Sequence, residues 1–259
     1  MVKVSDLMDS KHPTVPHDST SGYARATFRE TRVRILPVLE GEKLVGVITR
    51  IGIMSVTATR SDLTVRDLMV VPQLVLKPDE DIFDAAKKLL EVDDWYAPVV
   101  DEENKYLGVY GLEHFMGYML HQEHPAHSEL VENYMSSNVE FVYVDDPISK
   151  VWHKMLEFRY AGFPVLSRDG KLIGVVTQID LLKRGFTRLQ LESESAPRRG
   201  PKVEAVMSTP PITIPPSASI REAAKIMIDR NIGRLIVVKG RRMIGILDRS
   251  DITRAYLSF

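Results

Sequence analysis

The sequence predicts an α/β (α+β) chain built from four copies of one small unit. Three observations predict it. First, Gly46-Val-Ile-Thr-Arg-Ile-Gly52, Gly108-Val-Tyr-Gly-Leu-Glu-His114, Gly174-Val-Val-Thr-Gln-Ile-Asp180 and Gly245-Ile-Leu-Asp-Arg-Ser-Asp251 align as strand-to-helix corners, their first glycines 62, 66 and 71 residues apart. Second, Met8, Met69, Met135 and Met207 each end a short helical turn, at intervals of 61, 66 and 72. Third, two β-branched runs around a polar turn precede each corner, a hairpin pattern. Two independent landmarks that keep step establish a repeat.

Unit one spans residues 1–60. Val4–Met8 reads as a helical turn, Pro13–Val15 as a strand and Ser19–Glu30 as a helix with a thin apolar face (Tyr23, Ala24, Ala26, Phe28). Arg34–Glu40 and Leu44–Ile48 form its hairpin around Gly41, and a helix starts near Arg50. Unit two spans 61–120. Leu74–Leu76 reads as a strand, and Asp81–Val92 as an amphipathic helix with Ile82, Ala85, Ala86, Leu89 and Leu90 on one face. Tyr96–Val100 and Tyr106–Tyr110 pair, and Leu112–Leu120 is helical. Residues 121–130 read as a polar linker. It carries His121, His124 and His127, but Pro125 interrupts the helix that would align them on a metal, so no metal site is assigned.

Unit three spans 131–186, with a strand at Phe141–Val144 and a helix at Ile148–Phe158 whose Trp152 reads as core. Its strands Phe163–Ser167 and Leu172–Val176 flank the turn Arg168-Asp-Gly170. Residues 187–201, rich in Ser, Pro and Arg, read as an exposed linker. Unit four spans 202–259. Ile212–Ile214 is a strand, Ser219 and Glu222 fit a capping box opening the helix Ile220–Asp229, and Leu235–Val238 pairs with Met243–Leu247 before a last helix, Arg249–Leu257.

Composition narrows function. The chain has 259 residues, 44% hydrophobic and 27% charged, with net charge −1, so no global field draws it to nucleic acid or anionic lipid. No apolar run is long enough to span a bilayer, and the N-terminus lacks a signal-peptide core, so a cytoplasmic location is expected. There is no cysteine, hence no disulfide, thiolate site or thiol nucleophile. No phosphate-cradling Gly-rich loop with its Lys, no H-E-x-x-H and no G-x-S-x-G is present, so neither an enzyme nor a catalytic cofactor is expected.

The order turn, strand, helix, strand, strand, helix recurs four times. With it recur the terminal Met, a φ-Pro-Val strand (Leu36-Pro-Val38, Ala97-Pro-Val99, Phe163-Pro-Val165, with Leu235-Ile-Val237 in the fourth) and the corner Gly-φ-φ-Thr-x-x-Asp. This pattern resembles the CBS domain, and the four-repeat arrangement is similar to the gamma subunit of AMP-activated protein kinase and its archaeal relatives. The resemblance implies that repeats one with two and three with four pair into two Bateman modules, commonly one flattened disc. It also implies that adenine nucleotides (AMP, ADP or ATP) bind between paired repeats and that a separate effector protein reads the result.

A ribose diol wants a carboxylate, phosphate wants cations, hydroxyls or free amides, and adenine wants an apolar slot. Thr177 and Asp180 offer the first two, although a T-x-x-D at a helix start also explains itself as a capping box. The resemblance implies an adenine wall for this corner from Pro210, Ile212, Ile232 and Gly233, and a phosphate contact from Arg234. Repeat four keeps Asp251 but has Asp248 in place of Thr, a second carboxylate for Arg249 to offset, with an implied wall of Val142, Tyr160, Ala161 and Gly162. That corner stays open between occupied and empty, and suits a ligand with less phosphate, such as adenosine or S-adenosylmethionine. Repeat one has Thr49 but Gly52 for the acid, with Arg34 and Arg50 as positive charge. Repeat two has Gly111 and His114, with Trp95 and Tyr96 at its wall to stack on a base or fill the slot. The leading expectation is a non-catalytic nucleotide sensor. The alternative is an interaction scaffold with vestigial clefts, assembling as a homodimer or larger stack.

Overall fold

In the computed structural model, residues 1–56, 63–185 and 200–259 are described. The end of repeat one and most of the linker expected over 187–201 lie outside them. The described residues divide into two compact units. One comprises Met1–His12, Pro72–Val139 and Ile212–Phe259; the other comprises Pro13–Val71 and Glu140–Pro211.

The second unit holds the bodies of repeats one and three. Repeat one runs β1 (Val15–Pro16), α2 (Ser21–Thr31), β2 (Ile35–Glu40), β3 (Lys43–Thr49) and α3 (Arg50–Met54), after an opening turn α1 (Val4–Leu7) that belongs to the other unit. Repeat three runs β6 (Val142–Tyr143), α7 (Ile148–Phe158), β7 (Gly162–Leu166), β8 (Leu172–Thr177) and α8 (Gln178–Lys183). Each makes a three-stranded sheet in which a short first strand is parallel to the hairpin. Phe28, Ile53, Met54, Ile148, Met155 and Leu181 form one buried core drawn from both repeats.

The first unit holds the bodies of repeats two and four. Repeat two supplies α5 (Ile82–Glu91), β4 (Tyr96–Val100), β5 (Tyr106–Gly111) and α6 (Leu112–Met119). Here Leu76 makes only an isolated parallel bridge to Val99, so the strand expected at 74–76 is a single pairing. Repeat four supplies β9 (Thr213–Ile214), α9 (Ile220–Asp229), β10 (Arg234–Lys239), β11 (Arg242–Asp248) and α10 (Arg249–Leu257). Leu89, Phe115, Met116, Met227, Ile252 and Tyr256 lie in its common core.

The linker expected at 121–130 is not simply polar. Pro125–Ser128 forms a 3-10 turn with Ala126 fully buried, and the rings of His124 and His127 pack edge-on to Tyr256 at 5.5 and 5.6 Å. Burial lowers the pKa of both histidines.

The hairpins share one irregularity. Register shifts by a residue directly after Val38, Val99, Val165 and Val237, the last residue of each φ-Pro-Val motif or its Ile-containing fourth copy. The proline fits because its missing N–H falls where no partner is needed. Pairing with the short first strand begins at its carbonyl: the Leu76 N–H donates to the Pro98 carbonyl at 3.0 Å, and the Val100 N–H to the Leu76 carbonyl at 3.1 Å.

The opening turns are exchanged. α1 sits on repeat two, where the Val4 N–H donates to the Glu80 carbonyl, while α4 (Val65–Leu68) sits on repeat one, where the Val65 N–H donates to Ser19. The 3-10 turns Val131–Asn133 and Val203–Ala205 do the same, to Ala218 of repeat four and Asp146 of repeat three. Val4, Val65, Val131 and Val203 are all fully buried in the receiving core, each contributing about 1.5–3 kcal/mol. The residue after each Met then bridges the receiving hairpin: Asp9 to Val109, Val70 to Val47, Ser136 to Ile246 and Ser208 to Val175.

This crossing explains the repeated glycine. A Cβ at Gly174 would stand 2.6 Å from the Ser208 carbonyl oxygen and 3.1 Å from the Met207 sulfur; at Gly245 and Gly46 the Met135 and Met69 sulfurs stand 2.7 and 2.9 Å away. At Gly108 the obstruction is the Asp9 carbonyl at 2.8 Å. We expect Gly174→Ala to destabilise the chain by about 1–3 kcal/mol. Gly117→Ala on the open face of α6, where a Cβ meets nothing within 4 Å, should be neutral or stabilising by up to about 1 kcal/mol. Urea unfolding of the two variants checks this.

Candidate functional site

Each corner ends a strand and caps a helix, and the residue three positions into the helix decides its chemistry. At repeat three the Thr177 N–H and Oγ1 both donate to Asp180 Oδ2, at 2.8 and 2.6 Å, and the Asp180 N–H returns a 3.3 Å bond to Thr177 Oγ1. The capping box is therefore built. Asp180 Oδ1 takes a different bond, from Ser208 Oγ at 3.2 Å. Ser208 arrives on the exchanged turn of repeat four, and nothing in the corner motif itself signals it.

The other corners vary this plan. At repeat four the Asp248 N–H donates to Asp251 Oδ2 at 2.9 Å, Asp248 Oδ1 accepts from the N–H groups of Ser250 and Asp251, and Arg254 reaches Asp251 Oδ1 at 3.2 Å. At repeat two the Gly111 N–H donates to His114 Nδ1 at 2.8 Å, which leaves the proton on Nε2; burial lowers the His114 pKa and favours the neutral ring. At repeat one Thr49 Oγ1 accepts from the Gly52 N–H at 3.1 Å, and there is no acid.

At repeats one, three and four the first residue of the helix bonds to a partner earlier in the chain. Gln178 Nε2 donates to the Tyr160 carbonyl at 3.1 Å. Arg50, read from sequence as free positive charge, is instead buried and bonded to the carbonyls of Arg32 and Val33. Arg249, read as the offset for Asp248, is 1% exposed and donates to Tyr96 Oη at 2.6 Å and Glu113 Oε2 at 2.9 Å. Desolvation explains both: a guanidinium at a packed helix start must be satisfied by carbonyls or a carboxylate.

Trp95 and Tyr96 are drawn into the same cluster. Trp95 Nε1 donates to Ser250 Oγ at 2.8 Å, and the Arg234 guanidinium lies 5.1 Å over the Trp95 ring and 3.8 Å from Asp248. Repeat two thus clasps the start of α10 with two aromatic residues and one acid.

The remaining expected residues are distributed as follows. Thr49, Arg34, Val142, Tyr160, Ala161, Gly162, Thr177, Asp180 and Pro210 belong to the unit of repeats one and three; Ile212, Ile232, Gly233, Arg234, Arg249 and Asp251 belong to the other. Val142 is a core residue, 1% exposed and paired with Val165, so its side chain offers no slot wall. Gly233 is buried, Ile232 packs against the core, and Arg34 is half-buried. Tyr160 and Ile212 are open, and Tyr160 stacks at a tilt between Phe158 and Phe163. Pro210 is exposed and follows a cis bond from Thr209.

Two measurements follow from this geometry. Glu113→Ala leaves the buried Arg249 charge without its carboxylate and should cost about 2–4 kcal/mol, much of it recovered in the Glu113→Ala/Arg249→Met pair; chemical unfolding reads both. Burial first, and Asp248 second, push the Asp251 carboxyl from 3.8 up to about 6. The folded chain therefore holds this proton more tightly than the unfolded chain. Its contribution to stability is full below about pH 4 and is lost as pH rises through about 6. Asp251→Asn, which keeps an acceptor, should raise the unfolding temperature at about pH 7.5 and leave it nearly unchanged at about pH 4.

Among the described residues no helix is long and apolar enough to cross a membrane. The CBS domain model matches residues 4–58, 65–121, 131–186 and 203–258. The chain is 30% identical over 203 residues to the uncharacterized protein MJ1404 of Methanocaldococcus jannaschii, a match covering 76% of this chain and 48% of that protein, so it spans about half of that relative. It is 24% identical to MJ1225 of the same organism, a proposed archaeal homolog of g-AMPK, whose crystal structure superposes with a TM-score of 0.86 over 98% of this chain and 99% of that one. A conserved protein of Pyrococcus horikoshii, also 24% identical, gives 0.66 over 98% and 100%. Four matched segments covering most of the sequence, and the fold they share with these structures, establish that the chain belongs to the CBS domain family.

Proposed function

We propose that the chain is a non-catalytic regulatory protein that binds an adenine nucleotide (AMP, ADP or ATP) at the corner of repeat three. One observation carries the reading: Asp180 spends one oxygen on the capping box and presents the other toward Ser208 at the edge of the corner. A carboxylate so placed can accept hydrogen bonds from sugar hydroxyls without dismantling its helix cap. Corners one and two have Gly52 and His114 at this position and offer no carboxylate there. Family membership supports a sensing role, as does the four-repeat fold shared with MJ1225. Binding regulates only by favouring one state of the protein over another, and a separate partner protein reads that state.

Corner four supports a second ligand class. Asp248 and Asp251 together repel phosphate and favour a ligand with little phosphate or a positive centre, such as S-adenosylmethionine.

Calorimetric titration of the full chain with AMP, ADP, ATP and S-adenosylmethionine tests both readings. We expect micromolar binding of a nucleotide by the wild type. Asp180→Asn, which retains an acceptor for the cap, should weaken it by about 1.5–3 kcal/mol. Unchanged affinity in that variant removes the site from corner three. Silence toward all four ligands favours an interaction scaffold.

A further inference from the structure

We infer that Ser208, carried in on the exchanged turn, is the second half of the repeat-three site beside Asp180, where it selects ligands carrying a vicinal diol. This rests on the nucleotide reading of corner three and adds its selectivity.

The backbone builds the pairing. In each receiving hairpin the bridged residue stands five positions before the third residue of the helix: Val47 before Gly52, Val109 before His114, Val175 before Asp180 and Ile246 before Asp251. The exchanged turn therefore delivers the residue after its Met to the same place at every corner. The delivered residues match their corners in chemistry. Val70 is delivered to the corner of Gly52, Asp9 to that of His114, Ser208 to that of Asp180 and Ser136 to that of Asp251. An apolar residue is delivered where the acid is missing, an acid where a histidine stands, and a hydroxyl at both carboxylates.

At corner three the pair is in contact, with Ser208 Oγ donating to Asp180 Oδ1 at 3.2 Å. The hydroxyl is held from behind, because the Ser208 N–H donates to the Val175 carbonyl at 2.8 Å and the Val175 N–H returns a 3.0 Å bond to Ser208. A carboxylate oxygen accepts two bonds and a hydroxyl accepts as well as donates. One sugar hydroxyl can thus donate to the open side of Oδ1 while its neighbour donates to Ser208 Oγ. The two acceptors are joined by their own hydrogen bond, so their spacing is set before the ligand arrives, which limits the ordering cost of binding. A deoxy sugar leaves one acceptor unmet, and sites built to hydrogen-bond a hydroxyl reject analogues lacking it.

The test uses whichever of AMP, ADP and ATP binds the full chain most tightly, with its 2′-deoxy and 3′-deoxy forms, titrated into wild type, Ser208→Ala, Ser208→Thr and Asp180→Asn. We expect the wild type to disfavour at least one deoxy form by about 10-fold or more. Ser208→Ala should lose about 10-fold for the ribo form and bind ribo and deoxy forms within about threefold of each other, with its unfolding temperature unchanged; Ser208→Thr should restore discrimination. If Ser208→Ala keeps the wild-type ratio while Asp180→Asn loses binding, the Ser208 assignment is overturned and the nucleotide site stands. If Asp180→Asn binds as wild type does, or the wild type binds no nucleotide, the functional reading falls and takes this inference with it.

Discussion

The crossing of an exchanged turn over a hairpin glycine is the constraint on which the rest of the structure depends. Each turn plants a valine in the core of another repeat and then lays its backbone across the hairpin one residue past the glycine. That approach leaves no room for a Cβ at Gly174, Gly245, Gly46 or Gly108. The same crossing puts the next residue beside the corner. A packing requirement of the fold thus fixes where one candidate ligand-contacting side chain stands, whatever that side chain is.

The four corners share this scaffold and differ in what they retain. The third has a complete capping box with a second carboxylate oxygen directed at Ser208. The fourth has two carboxylates held by neighbouring N–H groups and attended by Arg234 and Arg254. The second has turned its acid position over to a half-buried histidine whose pKa is lowered toward the neutral ring, and the first to glycine. Arg249 belongs to structure in this scheme. Its guanidinium is enclosed, and Glu113 and Tyr96 of repeat two supply the acceptors that make its burial tolerable. A cation so placed ties the start of α10 to repeat two and is spent before a ligand comes.

Local chemistry was legible in the sequence, and long-range chemistry was not. Helices α7, α9 and α10 begin and end where periodicity and caps place them, and the Ser219/Glu222 box forms as its spacing requires. Those features depend on residues within one helical turn or one hairpin. The recurrent Met and Gly were visible as landmarks, yet their meeting was not, because Gly174 and Met207 come together only through the exchange. Arg50 read as positive charge for a ligand, and Arg249 as the offset for Asp248, for the same reason: their acceptors lie 17 or more residues away in the chain. The segment at 121–130 looked polar because histidine is polar by composition, whereas the rings of His124 and His127 make edge-to-face contacts with Tyr256. Ser208 carried no signal of its own, since a serine after a short helical turn is ordinary in any chain.

The competition between cap and ligand at Asp180 resolves at the level of single atoms. A capping carboxylate is usually a reason to doubt a binding role, because the helix start already accounts for it. Here the cap occupies Oδ2 alone, through the Thr177 N–H and hydroxyl. Oδ1 is left to a partner from another repeat, held at 3.2 Å, longer than the common spacing of hydroxyl-to-carboxylate bonds. The cap then aids a binding role. It locks the rotamer of the acid, so the oxygen facing the corner edge is held in place by the same bonds that start the helix. An acid freed of the cap would have to be ordered by its ligand, and that ordering would subtract from affinity.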